Sequence, residues 1–164
     1  MAEFMIIVVP QDREYAPEPH AIQAAVALVE TFFPDRDDEV NYKTAIVPMF
    51  VTSRDAFETL TCPECGEVVQ RFDLEEDDDG ATWWDGFEER LYASADAQRE
   101  VFEMPCCSAH VAAGDMDLGN DATFARLNLW LHRPGDSNEL TSSQTSALSQ
   151  ALGCEVKWMT GVNS

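Results

Sequence analysis

Four of the five cysteines fall in two short clusters, Cys62-Pro63-Glu64-Cys65-Gly66 and, further along, Met104-Pro105-Cys106-Cys107. Cys-x-x-Cys closed by glycine is zinc-knuckle spacing, because the tight turn aims backbone amides at the sulfurs while both thiolates reach one ion. The second cluster departs from a standard ribbon, since its cysteines are adjacent. Both can ligate one ion only if the backbone between them bends sharply, a bend that Pro105 can help set. The expectation is structural Zn2+ held by Cys62, Cys65, Cys106 and Cys107. The alternative is one of Cys106 and Cys107 with His110 as fourth ligand. Buried thiols without metal are a further reading. A redox dithiol at Cys62 and Cys65 is weaker, because the surrounding acids raise thiol pKa values and oppose reactivity. Four thiolates leave no coordination position for water, which argues against a zinc hydrolase. A histidine or water ligand would weaken that argument.

A chain of 164 residues suffices for one core plus a small insertion. The start, Met1 to Pro10, has no basic stretch before its short apolar run and no small-residue cleavage site, so it reads as a buried strand and not a signal peptide. No apolar run approaches the ~20 residues that cross a bilayer. The expected location is cytoplasmic, where cysteines serve metals or stay free. Cys154, left over from the four, alternates with Val156 and Trp158 and is expected as a buried strand residue.

Thirty-one acids oppose ten bases, a net charge of −21, and residues 61–103 alone carry −11 of it. Such a field repels nucleic acid and anionic membranes and favours a basic protein as partner. Solubility alone, or a salt-adapted or GC-rich host, would also account for it. The acidic run Asp73, Glu75, Glu76, Asp77, Asp78 and Asp79 lacks the spaced ligands and internal glycine of a calcium loop. It reads as a solvated charge run or as a contact surface for an Arg/Lys-rich partner. Trp83 and Trp84 follow directly, and adjacent helical residues cannot both face inward. One is expected in the core and the other exposed beside the acids as an anchor.

The periodicity of the first fifty residues predicts β-α-β: an apolar strand from Glu3 to Val9, a helix from Pro19 stopped by Pro34, and a strand from Tyr42 to Val51 kinked at Pro48. The last third predicts the same order. A strand alternates from Ala122 to Arg133, Thr141-Ser142-Ser143-Gln144 is a capping box, Gly153 closes the helix, and Cys154 to Met159 is a strand. Between them, a strand over Glu67–Phe72, a helix capped at Thr82 with Trp83, Phe87 and Leu91 on one side, and a strand over Glu100–Met104 are expected. The predicted fold is α+β, a ferredoxin-like βαβ/βαβ sheet with an inserted zinc-ribbon-like βαβ segment. Residues 1–60 and 118–164 would be the halves and 61–117 the insertion, all in one compact unit. A single continuous mixed sheet is the rival.

No nucleophile elbow, phosphate loop or dinucleotide fingerprint is present. Ser108 with His110 is a pairing that arises readily by chance, and His20 and His132 fit capping or surface roles.

Residues 60–160 resemble a group of uncharacterised bacterial cytoplasmic proteins. The likeness is carried by Cys62-Pro63-x-Cys65-Gly66, Trp83-Trp84, Pro105-Cys106-Cys107, Phe124-Ala125-Arg126 and Leu152-Gly153. It implies a metal site of Cys62, Cys65, Cys106 and Cys107, and does not support His110. The stretch after Cys107 departs from that pattern, and the first sixty residues lie outside it. The resemblance implies no activity; charge placement and the missing catalytic motifs lead to the expected function, a non-enzymatic, zinc-stabilised acidic binding protein, of immunity or inhibitor type, masking a basic macromolecule. A metal-dependent hydrolase with an unrecognised site, and a housekeeping scaffold of an acidic proteome, are the alternatives.

Overall fold

The computed structural model describes residues 3–135 and 137–164. Among them the chain has eight strands and three α-helices, a mixed α+β arrangement. β1 (Glu3–Pro10), β2 (Val40–Thr52), β7 (Ala122–His132) and β8 (Val156–Asn163) form one antiparallel sheet in the order β2-β7-β1-β8. Between β2 and β7 lie β3 (Thr59–Thr61), β4 (Val68–Gln70), α2 (Trp83–Ala93), β5 (Val101–Glu103) and β6 (His110–Ala112), with β3-β4 and β5-β6 each pairing as a small antiparallel sheet. α1 (Pro19–Phe32) and α3 (Ser142–Leu152) connect the sheet strands at either end of the chain.

Strand alternation divides the sheet into two faces. Ile6, Val8, Leu127, Leu129, Leu131 and Val156 point one way and pack on Ile22, Ala25, Val29, Leu148 and Leu152 of α1 and α3. Apolar burial of this kind stabilises by about 1.5–3 kcal/mol per large side chain. Met5, Ile7, Val9 and Met159 line the other face with partly buried Trp130. A third core belongs to the middle of the chain. It joins Phe57, Trp84, Phe87, Leu91 and Phe102 to Phe50 and Phe124 of the sheet, so the inserted elements and the sheet share one apolar contact.

Local sequence rules set most of these boundaries. Pro19 opens α1, and the chain leaves the helix at Phe33, just before Pro34. α2 and α3 each begin with a reciprocal capping box, Thr82 with Asp85 and Thr141 with Gln144. Gly153 ends α3 in the left-handed conformation at φ 76°.

Three expectations are corrected. Pro48 does not merely kink β2: pairing with β7 jumps from Thr44↔Leu127 to Met49↔Ala125, so Ala45 to Pro48 form a wide bulge. Its free Ala45 carbonyl accepts from Arg126 Nε at 3.1 Å. Cys154 is not in a strand. It is half-buried in the turn after Gly153, because that left-handed cap redirects the chain and β8 begins only at Val156. The middle segment is also not a β-α-β with cysteines at its ends. β3 and β6, which are short and lack clear alternation, pair with β4 and β5 and place the cysteines in hairpin turns.

Candidate metal centre

The two hairpins are built alike. β3 pairs Thr59↔Gln70, Leu60↔Val69 and Thr61↔Val68, and β5-β6 repeats the register 42 residues later as Val101↔Ala112, Phe102↔Val111 and Glu103↔His110. The turns repeat too. Gly66 N–H donates to the Cys62 carbonyl and Ser108 N–H to that of Met104, both at 2.9 Å. Cys62 N–H donates to Glu67 O and Met104 N–H to Ala109 O, at 2.9 and 2.8 Å. A 3-10 turn follows each hairpin, over Arg71–Asp73 and Ala113–Asp115. Gly66 and Ser108 occupy the same left-handed position, with φ of 77° and 64°.

This equivalence explains the adjacent cysteines. Cys62 corresponds to Met104, Glu64 to Cys106 and Cys65 to Cys107. The first knuckle supplies sulfurs from its first and fourth turn positions, the second from its third and fourth. Met104 fills the first position of the second turn and is buried in the middle core. The left-handed Ser108 closes the second turn directly after its two cysteines, as Gly66 closes the first.

The turns bring all four sulfurs within 4.8 Å of one another. Cys62 Sγ lies 3.8 Å from Cys107 Sγ, and Cys65 Sγ lies 3.3 Å from Cys106 Sγ. Four sulfurs about 2.3 Å from a tetrahedral ion stand about 3.8 Å apart, so a small closure or relaxation of this cluster completes a tetrathiolate site. The four cysteines can thus hold a metal ion. His110, the alternative ligand, is exposed at the start of β6 opposite Glu103 and is not in the group.

The protonation pattern favours a cation. Burial opposes charge on Cys62, but the amides of Cys65 and Glu64, followed by the Cys106 and Cys65 thiols, donate to its sulfur and bring its pKa down to about 7. Burial, followed by its hydrogen bonds with Cys65 and Cys62, holds Cys106 far above the ordinary thiol range. The Ala109 amide favours a thiolate at Cys107, yet desolvation and hydrogen bonds to Cys62 and Cys65 outweigh it and push that thiol up. One sulfur ionises readily and its neighbours then resist. A divalent cation reverses that resistance by replacing the protons, so binding releases them and weakens in acid.

Removing one sulfur should cost more than the 10–100-fold in metal affinity typical of outer-shell changes. Cys106→Ser is expected to exceed that loss in a competition titration with a chromogenic chelator. Adding Met104→Cys, which restores a sulfur at the position equivalent to Cys62, should recover at least tenfold of it. No recovery would mean that the two turns are not interchangeable.

The other sequence-predicted residues lie beside this unit. Glu75, Glu76, Asp77, Asp78 and Asp79 are all exposed in the loop before α2, as is Asp73 in the preceding 3-10 turn. Asp77 is the loop's internal brace, its Oδ1 accepting from Asp79 N–H and Ala81 N–H at 2.9 and 3.0 Å. Trp84 is the inward tryptophan, fully buried, with its ring centroid 4.8 Å from that of Phe57. It is therefore closed to any partner. The buried stripe of α2 is Trp84, Phe87 and Leu91, which corrects the expected Trp83, Phe87 and Leu91. Trp83 stays half-buried, stacked on Phe87 at 4.9 Å and donating Nε1–H to Glu103 O at 2.8 Å. The exposed aromatic beside the acids is Phe72, 73% exposed and next to Asp73. Sequence periodicity gives no sign of it, because the 3-10 turn breaks the strand expected there.

Among the described residues, no helix is long and apolar enough to cross a membrane. No family model, curated protein or solved structure matches the chain.

Proposed function

We propose that this chain is a non-catalytic binding protein in which a tetrathiolate zinc centre clamps two hairpins and supports an acidic surface for a basic protein partner. The observation that carries this reading is the gathering of four sulfurs from two equivalent turns. Such a donor set is soft, complete and free of the open position that hydrolytic zinc needs. The acidic loop hangs between the two hairpins in sequence, anchored at one end by Leu74 and at the other by the Thr82 cap of α2. Its exposed carboxylates, with Phe72 and Trp83 at its margins, make a charged rim with apolar anchors, a composition suited to an Arg/Lys-rich surface. A partner of this chemistry is one whose own target is anionic, which is the sense in which the protein would act as an inhibitor or immunity factor. The strand order β2-β7-β1-β8 with antiparallel neighbours supports a ferredoxin-like βαβ/βαβ sheet. The two cysteine-bearing hairpins support a zinc-ribbon-like insertion.

The test begins with native mass spectrometry of protein purified gently from its own host, where one zinc and a co-purifying basic protein are expected. The loop is then neutralised as Glu75→Gln, Glu76→Gln, Asp78→Asn and Asp79→Asn, leaving Asp77 to brace the backbone. Association should slow at least tenfold at low salt, and its dependence on ionic strength should flatten. Unchanged kinetics would remove the loop from the interface.

A further inference from the structure

A cavity of about 230 Å³ opens on the sheet face turned away from α1 and α3, where the end of α2 meets β2. Its floor is apolar, from Met5, Ile7 and Val51, and Tyr92 and Trp130 stand in its wall. Two cations, Lys43 and Arg54, line it, and no acidic side chain does. Acids outnumber bases about three to one in this chain, and only two lysines exist in it. A pocket with two bases and no acid runs against that composition.

The polar groups around it are unequally engaged. Tyr92 Oη and Thr52 Oγ1 bond one another at 2.6 Å, and Ser94 Oγ donates to Glu100 at 2.9 Å. Among the described residues, Lys43 and Arg54 form no ion pair. Asn128, opposite Lys43 in the β2–β7 register, has a solvent-shielded Oδ1 without a hydrogen-bond partner. Arg54 holds a left-handed backbone at φ 61°, a conformation that glycine or asparagine adopts more easily. Its amide donates to Thr52 Oγ1 and its carbonyl accepts from Phe57 N–H, and this geometry sets its guanidinium 5.9 Å from the Tyr92 ring centroid. Local strain retained to aim a cation at a cavity is the kind of outlier that accompanies binding sites.

We propose that this cavity binds a small organic anion, its charged head held by Lys43 and Arg54 and its flat apolar body lying against Tyr92 and Trp130. At ~30 Å³ per water the cavity has room for roughly eight waters, which limits the ligand to on the order of ten non-hydrogen atoms. The chain's negative field excludes polyanions, yet exposed charges more than ~8 Å away are largely screened at physiological salt. The two local cations therefore decide affinity for a small ligand. The function is separate from the acidic loop and does not depend on it.

The experiment is a titration of the metal-loaded protein with benzoate and phenyl phosphate, followed by amide chemical shifts, with benzamide as the neutral control. The two anions should shift amides of β2, β7 and the end of α2 with millimolar or tighter dissociation constants, and benzamide should bind at least tenfold more weakly. Lys43→Ala should weaken the anions about tenfold. Arg54→Gly should do the same while leaving the melting temperature unchanged or raised, since glycine relieves the left-handed strain. That variant separates lost binding from lost folding. Absence of shifts at 20 mM anion, equal binding of benzamide, or undiminished affinity in Arg54→Gly would each overturn the proposal.

Discussion

Stripping the metal should lower the melting temperature by roughly 8–16 °C. Free ion at about a thousand times its Kd stabilises the folded state by about 4 kcal/mol. For a chain of this size each kcal/mol shifts the melting temperature by about 2–4 °C. The effect is large because the ion adds a direct link between two short hairpins that otherwise meet through side chains of the middle core, among them Leu60, Val69, Phe102 and Val111. Each has only three paired positions per strand, and they approach through the sulfurs of their turns. Without the ion, Cys62 keeps its low pKa while Cys106 and Cys107 resist ionising, so the sulfurs hold one another only as weak donors and acceptors. Calorimetry with and without a strong chelator measures the shift, and one equivalent of zinc should reverse it. Because the middle core includes Phe50 and Phe124 of the sheet, the loss should spread to the whole chain and not appear as a separate early transition. A melting temperature indifferent to the chelator would remove the metal from the fold's stability.

Trp84→Ala should cost about 3–5 kcal/mol, the usual range for deleting a large, fully buried aromatic. Trp84 has no exposed surface, its ring meets Phe57 at 4.8 Å and Phe87 at 6.0 Å, and its Nε1–H donates to Glu88 at 3.1 Å. Its aromatic neighbours Phe57 and Phe87 are stiff side chains that fill such a hole poorly. Trp83→Ala, one residue away, should cost less than half as much, because that ring is half-exposed and loses mainly its stack on Phe87 and the bond to Glu103. Urea denaturation of the two variants separates them. Equal losses would contradict the assignment of Trp84 as the inward residue of α2.

Adjacent tryptophans show where sequence stops. The pattern of α2 admits Trp83 or Trp84 as the leading core residue, since Phe87 lies four positions from one and three from the other, and Leu91 a further turn along the same helical face. Only the position of the middle core relative to the helix selects Trp84. The same holds for the hairpins. Pro63 and Pro105, Cys65 and Cys107, Val69 and Val111, and Asp73 and Asp115 share one spacing, a repeat visible in the chain. It is easily overlooked, because its most conspicuous residues, Cys62 and Cys106, fall at different turn positions. The cavity had no local signal at all. Lys43 and Arg54, on and just after β2, meet Asn128 and Tyr92 only through the register of β2 with β7 and the packing of α2.

By itself the sequence determined what depends on neighbours along the chain. A continuous apolar run made β1 and alternation made β7, proline and reciprocal caps set the helix ends, and cysteine chemistry marked the four candidate ligands. Tertiary structure decided which turns oppose each other, which tryptophan is core, and which cations share a cavity. These depend on contacts between residues distant in sequence, whose free energy comes from burial and geometry that no local pattern encodes.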